Sequence, residues 1–196
     1  MKAHRWLTQD DPAVITHLRA AISPHLSLGR PVLVGIDGRS GTGKTTLARD
    51  LRRELSCAPG STRVIHMDGL YPGWQGLAAS VEIVRRDILA PLHRGESATY
   101  RLWDWHHDKP GLLTTVKPQQ VIIVEGVGSI TASPDDYDLR VWIEAPENVR
   151  RRRALARDGA MFEPHWDRWA AQEATYFATN TWAVPAHFGI HGADDE

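Results

Sequence analysis

Cysteine is almost missing from this 196-residue chain, with Cys57 the single example. No internal disulfide can form, and no Cys or His spacing of the zinc-binding kind occurs, so a disulfide scaffold and a zinc module are excluded. A reducing compartment, the cytoplasm, is the expectation, with Cys57 a packed or loop thiol behind a helix. An excess of one charge is missing as well. Lys and Arg number 23 against 24 Asp and Glu, for a formal charge of −1. A general nucleic-acid binder would carry a basic excess, so no nucleic-acid partner is expected. No apolar run approaches a membrane span, and the first residues lack the apolar stretch of a signal peptide. Repeats and low-complexity tracts are absent, and the length suits one domain over residues 1–196.

What is present centres on Gly38-Arg39-Ser40-Gly41-Thr42-Gly43-Lys44-Thr45, which reads G-x-x-x-x-G-K-[ST], the P-loop pattern. Val32-Leu33-Val34-Gly35-Ile36 before it is a short branched run, as a buried parallel strand should be. Residues Thr46–Leu55 after it repeat apolar positions at helical spacing. Glycines let backbone N–H groups curl around a phosphate, and the helix N-terminus adds partial positive charge. Gly38, Ser40, Gly41, Thr42, Gly43 and Thr46 complete the cradle. Lys44 can reach the outer phosphates, and the Thr45 hydroxyl can hold Mg²⁺.

Around this motif the chain alternates strands and helices. Asp11 as N-cap and Pro12 at the first position open a helix with a Val14, Ile15, Leu18, Ile22 stripe. Residues 57–61 form a turn. Arg63–Met67 is a strand that delivers Asp68-Gly69-Leu70-Tyr71-Pro72-Gly73-Trp74, a turn-rich aromatic loop. A helix follows from about Ser80 to Leu92, closed by Gly95. Val121–Val124 is the most apolar run and reads as a central strand, with Glu125 at its end. Leu139–Ile143 is another strand. A basic helix runs from Pro146 or Glu147 to Asp158-Gly159, a last helix from His165 to Thr179, and Trp182–Ile190 closes as a strand. The expected class is α/β with a mainly parallel sheet flanked by helices.

Four features complete a phosphotransferase. Asp68, at a strand's carboxyl end, can take the proton of an attacking hydroxyl and help hold Mg²⁺. Glu125 ends an apolar strand where the P-loop metal is commonly bound. Arg150, Arg153 and Arg157 share one helical face, able to close over a polyphosphate as a lid over about residues 150–165, with Gly159 as hinge. Tyr71 and Trp74, then Tyr100, Trp103 and Trp105, offer flat rings with polar tips for a planar or sugar-like ligand.

With these residues the chain resembles the uridine kinase and phosphoribulokinase group of P-loop kinases. Residues Gly38–Thr46 are similar to that group's G-x-S-G-x-G-K-T-T, Asp68-Gly69-Leu70-Tyr71 to D-x-F-Y, and Trp103-Asp104-Trp105 to Y-D-F. Val124-Glu125-Gly126 resembles its E-G, and Arg150–Asp158 its R-x-x-R-R-x-x-R-D lid, with Ala154 replacing one arginine. The resemblance implies a P-loop fold, ATP and Mg²⁺ as cofactors, Asp68 as base, and Tyr71 and Asp104 near a small-molecule acceptor. The family's D-H-P-x-A-F-D stretch is missing. Pro72-Gly73-Trp74-Gln75-Gly76-Leu77 stands in its place, so uridine itself is not implied. The helix bearing Trp166, Trp169, Glu173 and Tyr176 has no counterpart in that pattern. A nucleoside monophosphate kinase, with Arg85 and Arg86 toward an acceptor phosphate, and a non-catalytic ATP-binding module are the alternatives. A regulatory GTPase is excluded by the lack of N-K-x-D. The oligomeric state is open, a homo-oligomer included.

Overall fold

The computed structural model describes residues 3–56, 61–179 and 185–192. Cys57, most of the turn around it and the Trp182 end of the closing strand lie outside the described residues.

Six strands form one sheet: β1 (Ala3–Thr8), β2 (Val32–Asp37), β3 (Thr62–His66), β6 (Val121–Glu125), β7 (Leu139–Glu144) and β8 (Ala186–His191). Their order is β1-β8-β7-β2-β6-β3, and every pairing is parallel. A parallel sheet needs cover on both faces, and the alternation along its strands supplies it. Val32, Val34, Ile36, Val121, Ile123, Leu139, Val141 and Ile143 point into one core with α1 (Val14–Ile22) and α2 (Lys44–Leu55). Leu33, Ile122, Val124 and Trp142 point into the other. Helices α3 (Leu77–Ile83) and α7 (Trp166–Thr179) contribute to that second core.

The structure corrects several expectations. β6 is not central but one strand in from the β3 edge; its apolar run reflects burial on both faces. Helix α1 is regular only from Val14, and the Asp11 carboxylate accepts the Ala13 N–H at 2.8 Å in the turn that leads into it. The third helix begins earlier, at Leu77, and passes through a wide π-type stretch, Val84–Leu89, before α4 (Ala90–His93). Pro91 follows directly; it has no N–H to give the Asp87 carbonyl, and a wider turn relieves the ring's clash.

β1 was not anticipated. Only Leu7 of its six residues is buried, so it carries no clear period. Trp6 holds it instead, lying over Gly189, where a Cβ would meet the indole at 2.5 Å, and stacking on His191 at 4.4 Å. The Thr99–Asp108 region is an antiparallel hairpin outside the main sheet, β4 (Ala98–Asp104) with β5 (Lys109–Val116). Among the described residues no helix is long and apolar enough to cross a membrane.

Arg140 on β7 is buried and donates to the carbonyls of Pro134 and Pro185 at 3.0 and 3.3 Å. Its guanidinium also reaches the His187 Nε2 at 3.1 Å. Burial and that neighbouring cation push the His187 imidazole down from 6.5 to about 4. A base with a depressed folded pKa contributes stability that is complete above the unfolded value and is lost as pH falls toward the folded one. Wild-type protein is therefore expected to lose more thermal stability between pH 7 and pH 5 than His187→Gln does. Melting curves of both proteins at the two pH values check this.

Candidate active site

Strand β2 ends in Asp37, whose carboxylate is fully buried. Oδ1 accepts the N–H groups of Gly38 and Gly128 at 2.7 and 2.9 Å, and Oδ2 that of Ile130 at 3.0 Å. Burial nonetheless raises its pKa from 3.8 to about 6. Asp37 thus ties the start of the glycine loop to the turn after Glu125. The sequence reading did not single it out, although an acidic residue ending an apolar strand was a visible signal.

The loop then packs where side chains cannot fit. Gly41 has φ +80°, and a Cβ there would lie 2.1 Å from the Arg150 carbonyl oxygen. Gly38 has φ +148° and the same conflict with Ile143 O at 2.3 Å. Both positions require glycine. The Lys44 ammonium bonds the Arg39 carbonyl at 2.9 Å, and so does the Thr42 hydroxyl.

A cleft of about 320 Å³ opens over this loop, lined by Ser40, Gly41, Gly43, Lys44, Thr45, Thr46, Asp68, Glu125, Val127, Arg153, Ala154 and Arg157. Gly38 and Thr42 support the loop without lining the cleft. Glu125 is buried, and its Oε1 takes the Thr45 hydroxyl at 3.1 Å and His66 Nδ1 at 2.6 Å. The bond to Glu125 raises the His66 pKa. His66 faces Glu125 in strand register, a pairing that becomes visible only when β3 and β6 are known to be neighbours. Asp68 follows on a 3-10 turn after β3. Its carboxylate is 63% exposed, and Arg157 Nη2 stands 3.9 Å away. Enclosure by the cleft walls and the Glu125 charge raise its pKa, against the opposing pull of Arg157 and Lys44.

These groups fit a polyphosphate with Mg²⁺: backbone N–H groups, a lysine and two arginines face hydroxyl and carboxylate oxygens of the kind this metal takes. Among the described residues no group of three or more His, Cys, Asp or Glu forms a cation cage. Mg²⁺ needs none, since phosphate and water oxygens complete its shell.

A second cavity, also about 320 Å³, adjoins the first and shares Ser40, Asp68 and Arg157 with it. Tyr71, Trp74, Trp105, Asp158, Met161, Phe162 and Trp169 complete its wall. Trp74 packs on Trp105 at 4.8 Å, Phe162 at 5.5 Å and His165 at 4.2 Å. Tyr71 meets Trp169 edge-on at 4.8 Å, and its hydroxyl bonds Val127 O. Trp105 fixes the Asp68 turn directly, its indole N–H reaching Asp68 O at 2.7 Å. Met161 and Phe162, on the short 3-10 turns after α6, and Trp169 on α7 were missed because nothing local marks a side chain as facing a cavity built from distant segments.

Three expected positions lie elsewhere. Tyr100 is 5% exposed in the core under the hairpin and lines neither cavity, because the strand pleat turns it inward. Asp104 closes the hairpin turn, accepting the His106 and His107 N–H groups at 3.1 Å and pairing with the His107 ring at 2.8 Å. Arg150 lies behind the loop instead of over it. Its guanidinium bonds Ser40 O at 3.3 Å and Ala145 O at 3.2 Å, and it stands 3.8 Å from Glu173. Burial lowers its pKa. Position i in the i, i+3, i+7 set falls one helical turn too early to reach the cleft that Arg153 and Arg157 line.

Comparison with known proteins agrees with this geometry. A family model described as an AAA domain matches residues 34–163. The uridine kinase of Leuconostoc citreum is 28% identical over 145 residues, covering 66% of this chain and 69% of that protein. The uridine kinase of Brevibacillus brevis is 28% identical over 148 residues, covering 67% and 68%. Among solved structures, one titled a possible uridine kinase, from Bacillus stearothermophilus, superposes with a TM-score of 0.58 at 22% identity, covering 89% of this chain and 99% of that one. The D-glycerate 3-kinase of Cryptococcus neoformans does so with a TM-score of 0.61 at 13% identity, covering 91% and 94%. At these identities the solved structures speak to fold alone.

Proposed function

The chain belongs to the AAA domain family and is similar to uridine kinases, and from that premise we propose that it is a P-loop kinase that transfers the γ-phosphoryl group of ATP to a hydroxyl of a small molecule. The observation that carries this reading is the junction of the two cavities at Asp68 and Arg157. A donor phosphate on one side and an acceptor on the other meet at a carboxylate and a guanidinium.

The loop N–H groups and Lys44 hold the β and γ phosphates. Thr45, Glu125 and Asp68 are the oxygen donors for Mg²⁺, which when bound neutralises charge on the phosphate oxygens. Asp68 orients the acceptor hydroxyl and takes its proton. Arg153 and Arg157 face the transferring group from a lid over about residues 150–165 of a single kinase domain. The aromatic cavity excludes water and holds the acceptor against Tyr71 and Trp74. Positioning and charge carry most of the catalysis in such a reaction.

A phosphorylated acceptor finds less support. Arg85 pairs with Glu82 at 2.6 Å and Arg86 with Asp87 at 2.7 Å, on the exposed face of their helix and outside both cavities. The test is ADP release with Mg-ATP against uridine, cytidine, pantothenate, sugars, glycerate and nucleoside monophosphates. Release stimulated by an alcohol acceptor supports the proposal. Stimulation by monophosphates alone favours the second reading, and ATP binding without stimulation by any acceptor favours a binding module.

A further inference from the structure

Helix α7 grips the phosphate loop at Ser40. The Glu173 carboxylate is 1% exposed, and its Oε1 accepts the Ser40 backbone N–H at 2.7 Å. The Trp169 indole N–H lies 2.9 Å from both the Ser40 hydroxyl and Glu173 Oε1. Arg150 takes the Ser40 carbonyl, and its backbone oxygen closes on Gly41. The N–H, carbonyl and hydroxyl of a single loop residue are therefore all held by side chains from α7 and α6 (Glu147–Asp158).

A buried carboxylate behind a loop that attracts anions is unfavourable in isolation, since it opposes the phosphate charge. It is retained here with Arg39 at 3.9 Å and Arg150 at 3.8 Å to balance it. That arrangement makes sense if the carboxylate's role is geometric. Helix α7 also belongs to the aromatic cavity: Trp169 lines it, and Gln172 bonds Trp74 O and the Leu77 N–H at 3.1 and 3.3 Å. Trp169 thus touches the phosphate loop with its nitrogen and the second cavity with its ring.

We propose that Glu173 is a positioning residue for the phosphate loop, acting with Trp169, so that α7 sets the loop's nucleotide-binding shape. This rests on the reading that the loop binds a nucleotide. Glu173 holds Ser40 with its N–H turned back toward α7, and so fixes the loop segment whose Gly41 and Gly43 line the cleft. Trp169 completes the grip through the hydroxyl.

The experiment is calorimetric titration of Mg-ADP into wild-type protein, Glu173→Ala, Glu173→Gln and Trp169→Phe, with melting curves of each. Glu173→Ala is expected to weaken ADP by about 10–100-fold, the loss for a hydrogen bond to a charged group. Glu173→Gln keeps an acceptor oxygen for the Ser40 N–H and should recover to within about fivefold of wild type. Trp169→Phe keeps a ring in the wall but loses the N–H, and should weaken ADP by about 3–10-fold. Should Glu173→Ala not fold, the Gln and Phe variants decide. Variants that bind ADP as wild type does overturn the proposal. So does Glu173→Gln as weak as Glu173→Ala beside an unchanged Trp169→Phe, since the carboxylate would then serve only to balance the arginines. Wild-type protein that binds no ADP overturns the nucleotide reading itself and the role of the clamp with it.

Discussion

Asp68→Asn is expected to lower turnover by about 10²–10⁴-fold, the usual contribution of a positioned general base. The side chain sits at the seam of both cavities, on a turn whose carbonyl is pinned by Trp105. Asparagine keeps the size and the carbonyl oxygen but cannot accept a proton. It also removes a negative charge close to the site of bound phosphates while keeping an oxygen for the metal, two opposing effects that should leave ADP affinity little changed. The dissociation constant for ADP is expected to stay within about threefold of wild type, which separates a lost chemical step from lost binding. Steady-state rates with calorimetry on the same preparation check both halves. A protein that merely bound nucleotide would show the same behaviour before and after the substitution.

The largest stability effect is expected at Asp37. Replacing it by alanine leaves the N–H groups of Gly38, Gly128 and Ile130 without their partner inside the protein. Each unsatisfied buried donor costs about 1–3 kcal/mol, less whatever relaxation and water entry recover, so a net loss of about 3–5 kcal/mol is expected. For a chain of this length each kcal/mol lowers the melting temperature by about 2–4 °C. Asp37→Ala should therefore melt at least about 6 °C below wild type and bind ADP more weakly, because the loop start and the Glu125 turn lose their common anchor. The pH dependence has a sign. With the folded pKa raised to about 6, the folded state holds this proton more tightly than the unfolded chain. Its contribution is fully present below the unfolded value and is lost as pH rises through about 6. The deficit of the alanine variant should accordingly widen at pH 5 relative to pH 7. Melting curves at both pH values test this, and a variant that melts with wild type would refute the anchor.

The parts of this protein that could be read from sequence are those where neighbours in space are neighbours in the chain. The phosphate loop lies between its strand and its helix, and Asp68 and Glu125 end apolar runs. The inner strands were legible as continuous apolar runs because a parallel sheet is buried on both faces. What escaped was built across distance. Ser40 and Glu173 are separated by 133 residues, and nothing in either segment marks them as partners. Tyr100 is as aromatic as Tyr71, but one belongs to a hairpin packed inward and the other to a loop at the sheet's carboxyl end. Arg150 shares a helical face with Arg153 and Arg157, yet the helix crosses the loop so that its first turn passes behind. β1 escaped for the opposite reason. An edge strand held by one tryptophan over a glycine has no period to detect.

The most direct test follows the phosphorus atom. ³¹P NMR of wild-type protein with Mg-ATP and each acceptor should show the γ-phosphate signal replaced by ADP and a new phosphate monoester on the acceptor, with Asp68→Asn leaving ATP intact over the same time. Conversion of ATP to ADP and inorganic phosphate alone, at a rate no acceptor changes, would contradict transfer to a hydroxyl.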